Sequence, residues 1–370
     1  MTPGRGQSLP VDRPEDDPVR IARALAELGC TETARRALFE ILRRAETEAP
    51  DPDRFREEVR WPLISALLAQ ARTHRVELED GSVFEVGLDS RIERALLLSR
   101  EARPDHAWEP QMTKLLRALC IDGTAIIVGG AYYGDHVIPM ARAMERQGRQ
   151  GVIHAFEVMA EKVRQLVRNL ELSSVHNTVV QRLALWDSSG TPLNVVGDFA
   201  LASCESPGDD GHAASERVDS VTIDDYAAAN GLEVGLIKLD LEGGEERALR
   251  GAIRLLSLAP PRAPNLVFEV HRNYVDWSDG LDRTSAVGLV RSCGYTVYAI
   301  RDFHDNRSMA DRPVEVVPTD CVYLDGPPHG FDLLATKDAA LLDRIGLVTV
   351  RGVSPKLLLH RDPALHAPLH

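Results

Sequence analysis

The chain is poor in several things, and each shortage narrows what it can be. Its 370 residues include only 5% aromatics and five cysteines. The cysteines (Cys30, Cys120, Cys204, Cys293, Cys321) are scattered, with no C-x-x-C pair. An odd, dispersed set argues for reduced thiols and a cytoplasmic protein. No apolar run approaches the ~20 residues that a spanning helix needs, so no membrane is expected as a partner. The first 17 residues lack an apolar h-region and read as a disordered tail, not a secretory signal. Lysine occurs five times; arginine supplies the remaining positive charge, which reads as coding bias. The net charge is −13. Phosphate-backbone binding draws on clustered Lys and Arg, so nucleic acid is not expected as a partner. With 44% hydrophobic and 27% charged residues the composition is ordinary and globular, which excludes wholesale disorder, collagen and coiled coil.

Residues 18–106 read as a mostly helical extension. Helical periodicity runs through 18–50 on either side of Gly29, and a third helix is expected over about 54–72 with a kink at Pro62. Asp80-Gly81, set between alternating apolar and polar residues, predicts a hairpin over 76–86, followed by a helix over about 90–100. After about residue 107 the pattern changes. Ala125–Val128, Val152–Glu157, Thr178–Val180, Leu236–Leu241, Asn265–Val270, Tyr295–Ile300 and Thr319–Leu324 are short apolar runs, and most are separated by helical periods. Such alternation predicts an α/β fold, a Rossmann-like parallel sheet with helices on both faces. The expected organisation is a tail (1–17), a helical extension acting as lid or dimerisation element (18–106), the α/β domain (107–326) and a C-terminal extension (327–370).

Four motifs in this domain carry chemistry. Gly130 and Gly134 flank a strand-to-helix turn, where small residues let the backbone approach a ligand. Glu157 ends the next strand, where an acid accepts hydrogen bonds from ribose hydroxyls in doubly wound folds. The turn reads G-A-Y-Y-G, not G-x-G-x-x-G, so an adenosyl ligand without a pyrophosphate fits better than a dinucleotide. The densest signal is Lys238-Leu239-Asp240-Leu241-Glu242-Gly243-Gly244-Glu245, which places Lys238, Asp240 and Glu242 on one strand face, with Glu245 starting a helix. Beside it, Glu269 and His271 share a face at the end of the next strand. Carboxylates and a histidine at adjacent strand ends suit a general base or ligands for a divalent cation.

The run from Trp108 to about Leu324 resembles the FkbM-type methyltransferases, S-adenosylmethionine (SAM)-dependent enzymes of the class I fold. Glu109-Pro110, Gly130-Ala131-Tyr132-Tyr133-Gly134, Ala155-Phe156-Glu157, Asn169-Leu170, Ile223-Asp224-Asp225, Lys238 to Glu245 and Glu269-Val270-His271 carry the resemblance by order and spacing. Two positions depart from it: Val128 stands where the family has Asp, and Tyr132 where it has Asn. The family's Asp helps hold the methionine end of the cofactor; here Asp135, with Glu109 nearby, is expected in that role.

The resemblance implies methyl transfer from SAM to a hydroxyl oxygen of a small molecule such as a sugar, polyketide or other secondary metabolite. The expected cofactor contacts are Glu109, Gly130, Ala131, Gly134, Asp135, Glu157 and, toward adenine, Asp187. Asp240 or His271 would take the hydroxyl proton, Glu269 would orient, and Lys238 would pair with an acid. If Mg²⁺ takes part, its ligands are Asp240, Glu242 and Glu269. The acceptor pocket is expected among the extension, 188–220 and 272–285, with Tyr274 and Trp277 available for stacking. Two alternatives stay open: a scaffold that keeps the fold without catalysis, and a nicotinamide oxidoreductase, which the missing third glycine disfavours.

Overall fold

A computed structural model describes residues 32–68, 73–88, 90–121, 123–197, 203–205, 216–324, 330–359 and 361–370. The expected tail, the first expected helix and part of the 188–220 stretch lie outside these residues. The chain divides into two compact units, Met1–Arg72 and Thr73–His370. The division therefore falls well before the boundary expected at residue 106.

In the first unit, helix Glu32–Glu48 is followed by Pro52–Phe55, a π-type turn at Arg56–Arg60 and helix Trp61–Leu68. These turns form one unbroken helical run from Pro52 to Leu68, so Pro62 lies inside a longer helix, as expected, directly after the π-type turn in which Trp61 N donates to the Arg56 carbonyl. Glu46, buried, binds Arg60 at 2.5 Å and Arg56 at 2.6 Å.

The second unit opens with the expected hairpin, β1 (His74–Glu77) and β2 (Val83–Val86), then helix Arg91–Leu97 capped by Ser90. The main-sheet strands follow in chain order: β3 (Ala125–Gly129), β4 (Ile153–Phe156) and β5 (Thr178–Gln181). A smaller sheet takes β6 (Ala184–Leu185), β7 (Pro192–Val196), β8 (Ser203–Glu205) and β9 (Glu216–Val221). The main sheet resumes with β10 (Val234–Leu239), β11 (Asn265–Val270), β12 (Thr296–Ile300), β13 (Glu315–Pro318), β14 (Phe331–Thr336) and β15 (Val348–Thr349). Its nine strands run in the order β15-β13-β12-β14-β11-β10-β3-β4-β5.

The block from β11 to β5 is parallel, as the continuous apolar runs require. Ile126 and Val128 face one core, packed by helices Pro110–Leu119, Val137–Arg146 and Ala160–Leu172. Ile127, Ile237 and Phe268 face a second core on the other side, closed by helices Ile223–Ala229, Glu245–Arg250 and Ser285–Ser292. The sheet is not wholly parallel, however. Strand β14 lies antiparallel between β11 and β12. The strand expected at 319–324 is a turn and loop; the pairing strand is β13, just upstream. Residues 331–349 are thus part of the sheet and not an extension of it.

Candidate active site

The parallel strands β3, β4, β10 and β11 end at one edge of the sheet, and antiparallel β14 begins there. That edge is where an open α/β sheet presents its ligand crevice. The turn after β3 hugs its neighbours. Gly130 has φ +73°, and a Cβ on it would lie 1.8 Å from the Asp240 carbonyl oxygen. The backbone N–H groups of Gly130 and Ala131 donate to the Phe156 carbonyl. Gly134, at φ +98°, would press a Cβ onto Leu166 and Ile138. Asn169 fixes the turn from outside: its Nδ2 donates to the Tyr133 carbonyl, and its Oδ1 accepts from Glu85 N. The N-L pair of the sequence motif thus braces the turn against the hairpin.

Glu157, buried at the end of β4, accepts three backbone N–H groups: Tyr132 at 2.9 Å on Oε2, Val158 at 2.8 Å and Met159 at 2.9 Å on Oε1. Burial pushes its carboxyl up to about 7 despite these donors. A carboxylate has about four acceptor directions, so one on Oε2 remains for a ligand hydroxyl. Tyr132 turns its ring under Lys162, whose Nζ lies 4.4 Å from the ring centre. Lys162 in turn lies 3.5 Å from Glu93. Val128 packs in the core beside Lys238 of β10, and its side chain has no polar atom for a ligand.

Between the turn and β14 lies a buried charged cluster. Lys238 Nζ donates to Asp240 Oδ2 at 2.9 Å; against the cost of burial, Asp240 and Asp332 hold its pKa above the ordinary lysine value. Burial raises Asp135 to about 6 and Asp332 to about 7. Glu109, at φ +48° before helix Pro110–Leu119, is pushed well up by burial, with Asp332, Asp302 and Asp240 adding to the effect. His136 and His304 flank it, with Nε2 atoms 3.7 Å and 3.4 Å from its two oxygens. Burial holds His136 well below the usual histidine value, so it is neutral. Asp302 accepts from the N–H groups of Gln111, Met112 and Phe303, fixing the start of the helix behind Glu109. Asp302, His304, Asp332 and Lys356 were not anticipated. The available signal was charge beside an apolar run, most plainly Asp332 inside Phe331–Thr336.

On the more open side, Asp240, Glu242 and Glu269 each offer an oxygen within 4.8 Å of the others. Three convergent carboxylates suit a hard divalent cation. Burial raises Glu242 to about 8, and Asp240 and Glu245 add to it. Glu245 accepts N–H groups from Leu241 and Gly243, so it shapes the loop that carries Asp240 and Glu242. His271 Nδ1 accepts from Asn273 N at 3.1 Å, which leaves the proton of a neutral ring on Nε2. Tyr274, 46% exposed, lies over Gly243 and donates to Glu242 Oε2 at 3.4 Å. Trp277 is buried against Phe331 and does not line the edge as a free stacking surface. Asp187 is engaged by Arg247 at 2.7 Å, with Arg247 stacked on Trp186. The structure thus brings together Glu109, Asp135, Lys238, Asp240, Glu242 and Glu269, and gives Asp187 a partner of its own.

A family model described as the methyltransferase FkbM domain matches residues 129–297. The match takes in the glycine turn, Glu157, the Lys238–Glu245 motif and His271. A comparison with the curated proteins finds no match. Among solved structures, the precorrin-6y C5,15-methyltransferase of Geobacter metallireducens is 14% identical and covers 62% of this chain and 86% of its own, at a TM-score of 0.33. An rRNA methylase of Streptococcus thermophilus is 12% identical and covers 61% and 94%, at 0.32. A SAM-dependent methyltransferase of Agrobacterium tumefaciens is 9% identical and covers 72% and 69%, at 0.37. At these scores nothing about the chemistry of this chain follows from them.

Proposed function

We propose that this chain, whose residues 129–297 match the FkbM methyltransferase domain, transfers a methyl group from SAM to a hydroxyl oxygen of a small molecule. The observation that carries the reading is the pairing of the Gly130–Gly134 turn with Glu157, whose buried carboxyl receives the turn's own Tyr132 N–H. The cofactor fits the residues present. Glu109 is a buried carboxyl set among other acids, and a ligand ammonium would relieve that charge. Glu109 and Asp135 would hold the methionine end, Gly130, Ala131 and Gly134 would admit the ligand close to the backbone, and Glu157 would take the ribose hydroxyls. Asp187, held on Oδ2 by Arg247, would offer its remaining acceptor directions to the adenine amino group. When bound, SAM supplies a methyl already activated by its sulfonium.

The chain's own part is alignment and proton removal. Lys238 holds Asp240 Oδ2, so the other carboxylate oxygen of Asp240 is left to accept the hydroxyl proton. His271 presents a proton on Nε2, which suits it to orient the acceptor oxygen with Glu269. An acid-lined edge repels phosphate backbones, which supports a small-molecule acceptor over nucleic acid. The free thiols Cys120, Cys204, Cys293 and Cys321 support a cytoplasmic setting. A homodimer and a role in secondary metabolism remain parts of the proposal.

Two further readings rest on specific observations. A Mg²⁺ ion at Asp240, Glu242 and Glu269 is favoured by the convergence of their oxygens, and turnover that survives a chelator unchanged would refute it. A non-catalytic scaffold is favoured by Val128 and Tyr132. Calorimetric titration with S-adenosylhomocysteine decides between enzyme and scaffold. Micromolar binding followed by acceptor-dependent turnover is expected; no binding at millimolar ligand would overturn the enzyme reading.

A further inference from the structure

We infer that Lys356 is a positioning residue for the cofactor: through His304 it sets the donor that faces Glu109. The inference rests on the reading that Glu109 holds the methionine end of SAM. None of these three residues lies within the matched stretch 129–297.

The geometry is a chain of three side chains from three distant segments. Lys356 Nζ lies 3.2 Å from His304 Nδ1, and His304 Nε2 lies 3.4 Å from Glu109 Oε1. An ammonium donates and cannot accept, so Nδ1 of His304 must be the acceptor. The ring proton of neutral His304 is then on Nε2, facing Glu109. Lys356 is thus a donor on Nδ1 that favours this tautomer. A histidine turned the other way would present a lone pair to the Glu109 carboxylate, and Glu109 would hold its proton more tightly.

Lys356 is itself delivered with care. Asp302 N donates to the Pro355 carbonyl and Leu357 N donates to the Asp302 carbonyl, so Lys356 is clamped beside the end of β12. Arg301, fully buried, donates to the carbonyls of Ser354, Leu365 and Ala367 and pairs with Glu315. Burial lowers Lys356 to about 8, against the pull of Glu109 and Glu269, with Arg91 lowering it and Asp332 raising it further. Lys356 therefore remains charged near neutrality.

Three variants and two ligands test this. S-adenosylhomocysteine carries the amino-acid end; 5′-methylthioadenosine lacks it. Lys356→Met should weaken the first by about tenfold, the worth of one charged hydrogen bond, and leave the second unchanged. Lys356→Arg, which also only donates, should stay within about threefold of the unmodified chain. In turnover, the KM for SAM should rise in Lys356→Met while kcat holds. Glu109→Gln reports on the underlying reading. If Lys356→Met binds S-adenosylhomocysteine normally while Glu109→Gln does not, the Lys356 inference fails alone. If Glu109→Gln also binds normally, the reading beneath it fails too. Equal loss of both ligands in Lys356→Met would make Lys356 a packing residue and overturn the inference.

Discussion

Substituting Gly130 with alanine tests whether the turn after β3 is built by contact or merely by conformation. Two penalties apply there. The left-handed backbone, φ +73°, costs an alanine about 1 kcal/mol. The new Cβ would also stand 1.8 Å from the Asp240 carbonyl oxygen, so backbone must retreat by more than about 1 Å. Overpacking of this kind costs about 1–3 kcal/mol, so Gly130→Ala should lose about 2–4 kcal/mol in all. Gly148 separates the two penalties. Its φ is +63°, and nothing lies within 4 Å of where its Cβ would be. Gly148→Ala should therefore lose about 1 kcal/mol. Urea unfolding followed by circular dichroism measures both, and titration with S-adenosylhomocysteine follows the site. The atoms that must move include the carbonyl of Asp240, so Gly130→Ala should also lose ligand binding while Gly148→Ala keeps it. Equal destabilisation in the two variants, with binding intact in both, would refute the close-approach argument.

Glu157 should make the ligand-free protein less stable as pH rises. Its folded pKa, about 7, lies above the ordinary 4.5, so the group's contribution is complete below about 4.5 and is lost as pH climbs through 7. The span corresponds to about 3 kcal/mol, and Glu157→Gln should flatten that part of the urea-stability profile between pH 5 and 8; an unchanged slope would contradict it. Arg301→Met leaves buried Glu315 without its counter-ion, holding only the N–H groups of Leu369 and His370, and releases three C-terminal carbonyls, so it should cost about 3–5 kcal/mol and expose residues beyond 354 to limited proteolysis. Tyr274→Ala should raise the acceptor KM with little loss of stability, because the ring is nearly half exposed. Trp277→Ala should instead cost about 3–5 kcal/mol, because the indole is buried against Phe331.

The sequence was most legible where one short segment sufficed. Strands β3, β4, β10 and β11 announce themselves as unbroken apolar runs because both their faces are covered. The glycine turn, Glu157 and the trio Asp240, Glu242 and Glu269 follow from position at the ends of those strands. Legibility failed where the partner is remote. Glu109 meets His304 and Lys356 only after the chain has crossed the sheet, and no local period encodes that meeting. The role of Asn169 was invisible for the same reason, since its partners are Glu85 and Tyr133. Thr319–Leu324 looked like a strand because alternation alone cannot distinguish Glu315–Pro318 from the residues just after it. Tyr274 and Trp277 looked equivalent as loop aromatics; Phe331, far along the chain, is what buries one of them.

The order in which strands leave the ribosome differs from the order in which they lie in the sheet. Strands β11 and β12 never pair with each other; each pairs with β14, which is synthesised after both. A nascent chain that has reached residue 324 therefore carries two finished apolar strands, Asn265–Val270 and Thr296–Ile300, each with an edge still open on the side that β14 will fill. Open apolar edges recruit other chains, so this interval is the one in which self-association competes with folding and in which a chaperone has most to gain. Asp332 arrives with that same strand and settles opposite Glu269. The acidic edge of the candidate site is thus sealed by the same late event that makes the nascent sheet safe.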